Sequence, residues 1–299
     1  MLESLSIFCP AKINLGLKVS SKRPDGYHDL QSIFMTVPLF DRLDVQLAGH
    51  SGTCRVDCEP IGLPPRNTIS AAYDAFREVT GFDGGVKVHI EKHIPIGGGL
   101  GGGSSNAASF IWALGRLLGI EDSPDWLTLI AGKAGSDTFF FAHALASASN
   151  LETFEPFAAV VEGRGDKVKA IPCRKDFYVL LSFPDISVST VEAYAMLDRR
   201  RQLDGFLSES IESIDFYPEK MYNLPVRDWK FENDFTVVLC ARSFEIENAL
   251  QDMKSSGADF CDVTGSGSCV FGVFEDAQKA RQAEVVLGKK RGVALCSFV

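Results

Sequence analysis

The sequence lacks an excess of basic residues. Its 299 residues include 30 lysines and arginines against 39 aspartates and glutamates, which gives a formal net charge of −9. A surface that binds nucleic acid or an anionic membrane needs a positive field, so this balance argues against both partners. It does not argue against a phosphorylated small molecule, because backbone amides hold phosphate without any net charge.

The sequence also has no long apolar run. Its longest uncharged stretch, residues 94–115, is diluted by glycine and serine and falls short of a membrane span. The first residues carry an acid at Glu3 and none of the apolar core of a secretory signal. We therefore expect a cytoplasmic protein, with an oligomeric state that the sequence leaves open.

Clustered cysteines are lacking as well. The chain has eight cysteines scattered along its length, which predicts free thiols in a reducing compartment. His50, Cys54 and Cys58 are evenly spaced, as metal ligands can be. With no fourth ligand nearby in a segment typical of a strand edge, we do not predict zinc there.

What the sequence does have is a concentration of glycine at one point. Six of the seven residues 97–103 are glycine, and Ser104 and Ser105 follow. An alternating segment before them, 86–91, predicts a half-buried strand, and the apolar spacing after them predicts a helix. Ser104 or Ser105 is expected to cap that helix, and Gly119 is expected to end it.

A glycine loop between a strand and a helix presents unpaired amides and the positive end of a helix dipole, so a phosphate chain is the expected ligand. The Walker pattern is excluded, because its lysine is missing from this loop. The dinucleotide pattern is formally present from Gly97, with Glu121 and Asp122 about 20 residues after it. Yet a helix with Ser123 as its predicted cap follows where a second strand is required, so we do not predict a Rossmann unit.

Periodicity over the rest of the chain predicts mixed structure. Strands are expected near 6–20, 33–37, 43–47, 177–183, 292–299 and on both sides of a glycine turn within 259–274. Helices are expected within 67–81, capped by Asn67, and within 124–133, 188–199, 243–257 and 275–290. Residues 139–149 fit neither pattern, and 200–235 stay unassigned. Helices on one side of antiparallel strands make an α+β fold.

These segments resemble the GHMP kinases, the superfamily of galactokinase, homoserine kinase and mevalonate kinase. The resemblance rests on PIGGGLGGGSSNAA as the phosphate loop, TGSGSCVF as a second glycine turn, CPAKINLGL at 9–17, RPDGYHDLQSIF at 23–34, GRGD at 163–166 and NDF at 233–235. They occur in the family's order over nearly the whole chain. The resemblance implies a two-domain GHMP kinase fold of the α+β class, with a ribosomal S5 domain 2-like N-terminal domain over 1–172 and a ferredoxin-like C-terminal domain over 173–299.

The resemblance also implies the reaction, which is transfer of the γ-phosphate of ATP to a small-molecule alcohol. PAKINL and DGYH imply that this alcohol is the 2-hydroxyl of a cytidyl-linked methylerythritol in isoprenoid precursor synthesis. Asp137 matches the catalytic aspartate, which accepts or orients the hydroxyl proton, and Lys12 matches the lysine that keeps it ionised. The ATP phosphates are expected on Gly97, Gly98, Gly99, Leu100, Gly101, Gly102, Gly103, Ser104 and Ser105, with the Ser105 hydroxyl reaching Mg²⁺.

Five further residues match the substrate-binding positions of the family. Tyr27 and His28 match the cytidine readers, since an aromatic face stacks on a base and an imidazole hydrogen-bonds its edge. Tyr194 aligns with a second stacking aromatic, so cytosine would lie between two rings. Asn14 and Thr190 are expected to contact the same cytidine diphosphate substrate.

One segment departs from the family pattern. Where the family usually has Ala-Asp-Val-Pro, this chain has Ser136-Asp137-Thr138-Phe139. Losing the proline frees the backbone that aims Asp137. Either packing of residues 139–141 replaces that restraint, or activity is weaker than is usual in the family.

Three alternatives follow from the same features. A GHMP kinase for a sugar, mevalonate or homoserine should lack the adjacent Tyr27 and His28. A non-catalytic ATP-binding homologue should lack Asp137. An RNA-binding protein, suggested by the likeness of the N-terminal half to domains of ribosomal and translation factors, is opposed by the net charge of −9.

Overall fold

The computed structural model describes residues 3–49, 52–120, 124–148, 153–205 and 217–298. They fall into two compact units that are interleaved along the chain. The first unit contains residues 1–11, 39–94 and 101–155, and the second contains 12–38, 95–100 and 156–299. The domain boundary predicted at 172/173 stays a prediction.

The strands of the first unit lie in one sheet, in which β1 (Ser4–Lys22) pairs with β2 (His28–Leu47). Residues 42–47 of β2 (His28–Leu47) run antiparallel to β4 (Val86–Glu91), which runs parallel to β3 (Cys54–Glu59). Its helices are α1 (Thr68–Thr80), α2 (Gly102–Leu117), α3 (Pro124–Ala134) and α4 (Thr138–Ser147). Phe76, Phe110 and Ile130 from the helices and Val88 from the sheet share one buried core. The alternation that predicted β4 and the helical spacing after the loop are thereby confirmed.

Local capping decides where two of these helices begin. Asn67 caps α1, as the sequence predicts, by accepting from the amides of Ile69 and Ser70. The cap predicted for α2 is wrong, because Gly101 occupies the N-cap position with φ +70° and Ser104 lies inside the first turn. A left-handed residue is available there only because it is glycine, so the chain turns into the helix before it reaches the serines.

The second unit has two sets of paired strands. Residues 30–35 of β2 run antiparallel to β5 (Ala158–Gly163), which pairs with β6 (Lys167–Ile171). A separate antiparallel sheet has the order β10 (Gly292–Ser297), β7 (Tyr178–Phe183), β9 (Val270–Phe274), β8 (Phe260–Val263). The helices of this unit are α5 (Thr190–Leu203), α6 (Pro218–Tyr222), α7 (Asp234–Arg242), α8 (Phe244–Ser255) and α9 (Ala277–Leu287), with a 3-10 turn at Val226–Asp228.

Several predicted segments differ from the structure. Strands expected at 33–37 and 43–47 form one continuous strand, β2. The ambiguous 139–149 contributes most of α4, which is apolar all round and therefore shows no helical stripe. The unassigned 200–235 contains α6 and the 3-10 turn, while 206–216, His50 and the predicted cap Ser123 with Glu121 and Asp122 lie outside the described residues.

β1 (Ser4–Lys22) passes through both units and covers the strand predicted near 6–20. Residues 11–17 are all buried, so neither side of the strand is turned to solvent there, and Lys12 and Asn14 are only 2% and 1% exposed. The eight cysteines are free thiols, and burial raises the pKa of Cys9 and Cys296 to about 12. Within the described ranges, no helix combines the length and apolar character needed to cross a membrane.

Candidate active site

The first glycine loop joins β4 to α2 through left-handed backbone. Gly97, Gly99 and Gly101 have φ of +73°, +75° and +70°, values that residues with a Cβ atom rarely adopt. Gly99 is also needed for close approach, because a Cβ atom placed on it would lie 2.1 Å from the carbonyl oxygen of Thr264. Gly98 has neither restriction, since the nearest atom to its Cβ position is 3.7 Å away. Internal packing therefore accounts for part of the glycine content.

The start of α2 fits a phosphate or metal ligand. The Oγ atom of Ser105 is buried and has no hydrogen-bond partner among the described residues. A buried hydroxyl without a partner is costly, so a bound ion or phosphate oxygen would satisfy it. Ser104 lies on the side of Gly135, whose Cβ position is 3.9 Å from the Ser104 Oγ atom. Ser105 therefore suits the ligand role that the resemblance implies, and the phosphate contacts of both serines stay predictions.

Asp137 directly precedes α4. It occupies the N-cap position with helical φ and ψ of −69° and −14°, but its side chain accepts no capping hydrogen bond. Gly135, two residues earlier, has a φ of +155°. Phe139 packs its ring onto the backbone of α3, because a Cβ atom on Gly132 would lie 2.6 Å from the Phe139 Cζ atom. The Phe139 ring thus packs at the position where the resemblance implies proline, and the restraint of Asp137 by this packing stays a prediction.

Lys12 and Asn14 form a buried polar pair in the second unit. The Lys12 ammonium donates to Asn14 Oδ1 at 2.6 Å and lies 4.7 Å from the centre of the Phe34 ring. The Lys12 amide donates to the carbonyl of Leu100 in the glycine loop at 2.9 Å. Asp137 belongs to the first unit, so its predicted pairing with Lys12 stays a prediction.

Two of the predicted cytidine-binding residues, His28 and Tyr194, are in contact at α5. The rings of His28 and Tyr194 are stacked with centroids 4.9 Å apart and an interplanar angle of 29°. His28 Nδ1 donates to the carbonyl of Ser20 at 2.9 Å, and its Nε2 atom lies 3.4 Å from Asp198. Because a carbonyl only accepts, the hydrogen is on Nδ1 and the ring orientation is fixed.

Tyr27 is presented differently from its neighbour. Its side chain is 53% exposed, and the guanidinium carbon of Arg164 lies 3.5 Å from the ring centroid. A guanidinium on one ring face leaves the opposite face as a stacking surface. The sandwich of cytosine between Tyr27 and Tyr194 stays a prediction.

Thr190 is the first residue of α5, and its Oγ1 atom is hydrogen-bonded to Ser266 Oγ at 3.0 Å. Ser266 belongs to the second glycine turn, 264–268, between β8 and β9. Helix α5 therefore connects that turn to the stacked pair of His28 and Tyr194.

The sequence did not assign a role to three residues that contact the candidate site residues or the second glycine turn, namely Thr264, Arg164 and Asn233. Thr264 accepts from the Asn14 amide at 3.1 Å and contacts Asn14 Oδ1 at 3.3 Å. Arg164 was quoted only within GRGD and Asn233 only within NDF. The quoted motifs were the available signal, but contacts spanning 250 residues cannot be read from local spacing.

Comparison with known proteins identifies the class of the chain. Residues 67–144 match the GHMP kinases N terminal domain, and residues 233–293 match the GHMP kinases C terminal domain. The predicted two-domain α+β fold of this superfamily is thereby confirmed.

Full-length relatives narrow this class. A 4-diphosphocytidyl-2-C-methyl-D-erythritol kinase of Geobacter sp. (strain M21) is 34% identical over 97% of both chains. One of Treponema pallidum (strain Nichols) is 33% identical over 97% of this chain and 96% of its own. A crystal structure of 4-(cytidine 5'-diphospho)-2C-methyl-D-erythritol kinase has a TM-score of 0.73 and 28% identity, covering 98% of each chain. The chain belongs to this family of GHMP kinases.

Proposed function

We propose that this chain transfers the γ-phosphoryl group of ATP to the 2-hydroxyl of 4-diphosphocytidyl-2-C-methyl-D-erythritol. Membership of the family supports an ATP-dependent small-molecule kinase. The observation that carries the choice of substrate is that exposed Tyr27 directly precedes His28, whose fixed ring is stacked on Tyr194. A kinase for an alcohol without a base has no need of such a surface.

The proposed reaction makes one bond and breaks one. The substrate oxygen attacks the γ-phosphorus, the bond from that phosphorus to the β,γ-bridging oxygen breaks, and ADP leaves. Asp137 accepts or orients the proton of the attacking hydroxyl. Lys12, held by Asn14 at 2.6 Å, supplies positive charge for the transferring group.

ATP is held, in this proposal, by residues 97–105. Glycine at six of the positions 97–103 leaves few side chains to block the phosphates, and the first amides of α2 meet them with the positive end of the helix dipole. Mg²⁺, when bound, neutralises charge on the phosphate oxygens, and Ser105 is the residue we propose as its ligand. The unpartnered Ser105 hydroxyl supports this assignment.

The cytidine end of the substrate is proposed to bind with its base between Tyr27 and Tyr194, and His28, whose ring is stacked on Tyr194, is proposed to read the edge of the base. Asn14 and Thr190 are proposed to contact the same substrate. Each is hydrogen-bonded to a residue of the second glycine turn. Both substrates are small and water-soluble, and the net charge of −9 opposes polyanions. We accordingly place the reaction in the bacterial cytoplasm, without a nucleic-acid or membrane partner.

A coupled ADP-release assay tests the proposal. Turnover of the cytidyl substrate is compared with that of galactose, mevalonate and homoserine, and only the first is expected to be phosphorylated efficiently. Tyr27→Ala and His28→Ala should each lower kcat/KM for the cytidyl substrate by about five- to a hundredfold, as loss of a base contact does. ATP affinity should stay unchanged. Preference for another alcohol, or loss of ATP affinity instead, would reject the proposed substrate or the assigned pocket.

A further inference from the structure

The second glycine turn lies against residues that the proposed chemistry uses. Gly265 and Gly267 have φ of +56° and +80°, and a Cβ atom on Gly265 would lie 3.0 Å from the Gly99 carbonyl and 3.3 Å from Asn14 Oδ1. Thr264 contacts both the amide and the side chain of Asn14. The position of this turn therefore sets the position of Asn14, the acceptor of the Lys12 ammonium.

Asn233 is hydrogen-bonded to the backbone of that turn and of the residue before it. Its Nδ2 atom donates to the carbonyls of Val263 and Gly265, each at 2.8 Å. Its Oδ1 atom accepts from the amide of Phe235 at 3.0 Å and caps α7. The side chain is 3% exposed. An amide is the one neutral group of this size that can cap a helix with its oxygen while donating two hydrogen bonds.

The backbone of Asn233 is itself held in place. Its amide donates to Asp262 Oδ2 at 2.9 Å, and Asp262 Oδ1 accepts from Thr236 Oγ1 at 2.5 Å. On the other side, the Leu17 amide of β1 donates to the carbonyl of Glu232 at 2.9 Å. Asn233 thus stands between two strands and a helix start, with little freedom to follow a turn that moves.

We propose that Asn233 is a positioning residue for phosphoryl transfer, which fixes the second glycine turn so that Thr264 and Asn14 hold the Lys12 ammonium. The inference rests on the proposed function for its catalytic consequence. It assigns no contact between Asn233 and a substrate. The role follows from the amide nitrogen, whereas the capping role follows from the amide oxygen, so the two can be separated by substitution.

Asn233→Ser makes that separation. Serine caps helices about as well as asparagine, so the start of α7 is retained. The short hydroxyl cannot replace two amide donors, so the carbonyls of Val263 and Gly265 lose their partner. We expect kcat/KM for the cytidyl substrate to fall about tenfold, as loss of a buried hydrogen-bond donor does. Ser243→Ala, which removes the cap of α8 in the same unit, is the control for lost stability and should leave kcat/KM unchanged.

A double-mutant cycle gives a readout that a purely structural role would not move. Thr264→Val removes the hydroxyl that contacts Asn14 and should cost about tenfold on its own. If Asn233 acts through this turn, the double variant should lose about tenfold in total, because the same link is already broken. A multiplied loss of about a hundredfold, or an Asn233→Ser variant with wild-type kcat/KM, would overturn the proposal.

Amide hydrogen exchange tests the same link without catalysis. The Gly267 amide donates to the Thr264 carbonyl at 3.1 Å, and the Cys269 amide donates to the Gly98 carbonyl at 3.2 Å. Both should exchange faster in Asn233→Ser and not in Ser243→Ala. Unchanged exchange would overturn the proposal even if activity falls. If wild-type protein fails to phosphorylate the cytidyl substrate, the proposed function is rejected, and exchange together with ATP affinity in the same variants still decides the role of Asn233.

Discussion

Two buried hydroxyls of the first unit and the residues around Lys12 in the second unit differ in how their hydrogen-bonding capacity is used. In the first unit, Ser105 Oγ and Thr138 Oγ1 are buried without a partner among the described residues. In the second unit, Lys12, Asn14 and Thr264 satisfy one another at 2.6–3.3 Å. Removing a partnered group should cost stability, whereas removing an unpartnered one should not.

This difference separates two ways of preparing a site for phosphoryl transfer. The network around Lys12 fixes its charge before any substrate arrives, which is electrostatic preorganisation. The hydroxyls at the starts of α2 and α4 keep capacity that the fold does not use, which suits groups that act only once a ligand is bound. The comparison predicts opposite balances of stability and activity in the two units.

The largest effect is expected at Asp137. Asp137→Asn should lower kcat by about 100- to 10,000-fold, the range that general-base groups contribute, while ATP still binds. The Asp137 side chain does not cap α4, so the variant should keep the start of that helix. Coupled turnover and calorimetric ATP affinity check the two parts, and thermal melting is the folding control. Near-normal turnover would exclude Asp137 as the base.

The next effect concerns the glycine loop and uses adjacent residues as a matched pair. Gly99→Ala should destabilise the protein by about 2–4 kcal/mol, because it combines a positive φ with a clash against the Thr264 carbonyl. Gly98→Ala meets nothing closer than 3.7 Å and should leave the free energy of unfolding nearly unchanged. Denaturant unfolding measures both.

Equal losses at the two positions would mean that close packing against Thr264 does not explain the glycine at 99. If Gly98→Ala weakens ATP binding at wild-type stability, that glycine serves the ligand instead. The pair therefore distinguishes glycines required by the fold from glycines required by the phosphates.

The region around this loop shows which structural features can be predicted from the sequence. The strand before it, the helix after it and the cap at Asn67 were predicted, because alternation, helical spacing and capping residues act within a few positions. The N-cap at Gly101 was not, since a left-handed glycine competed with the expected serine cap and began the helix earlier.

Tertiary contacts explain the remaining failures. The reason for glycine at 99 is a carbonyl 165 residues away in the chain, and the burial of Lys12 depends on Asn14 and the Phe34 ring. The helix at 138–147 lacks an amphipathic stripe because it is apolar on all sides. The resemblance in motifs identified the candidate residues, but the residues that they contact could be identified only from the structure.

A smaller effect should sharpen the comparison of the two units directly. Asn14→Ala removes a partnered side chain and should lower the free energy of unfolding by about 1–3 kcal/mol. Ser105→Ala removes an unpartnered hydroxyl and should leave stability unchanged or raise it slightly. Chemical denaturation of both variants without nucleotide provides the measurement.

Adding Mg²⁺ and ATP should stabilise wild-type protein more than Ser105→Ala, since a ligand stabilises the fold in proportion to its affinity. Comparable losses of stability in both variants before nucleotide is added would remove the distinction between the units.

The smallest effect should come from Asp262, the buried carboxylate beside Asn233. Burial raises its pKa from 3.8 to about 6, against hydrogen bonds from Thr236 and the amides of Val263 and Asn233 that lower it. The folded protein then binds the proton more tightly than the unfolded chain, so this group's contribution to stability is complete below about pH 4 and is lost as pH rises through about 6. Thr236→Val removes a donor to the ionised form, so its destabilisation, about 1 kcal/mol, should be larger at pH 8 than at pH 5. Thr80→Val, whose hydroxyl bonds only to backbone atoms, should show no such difference. A pH-independent loss in Thr236→Val, seen by thermal melting at the two pH values, would mean that Asp262 does not change its charge in this range.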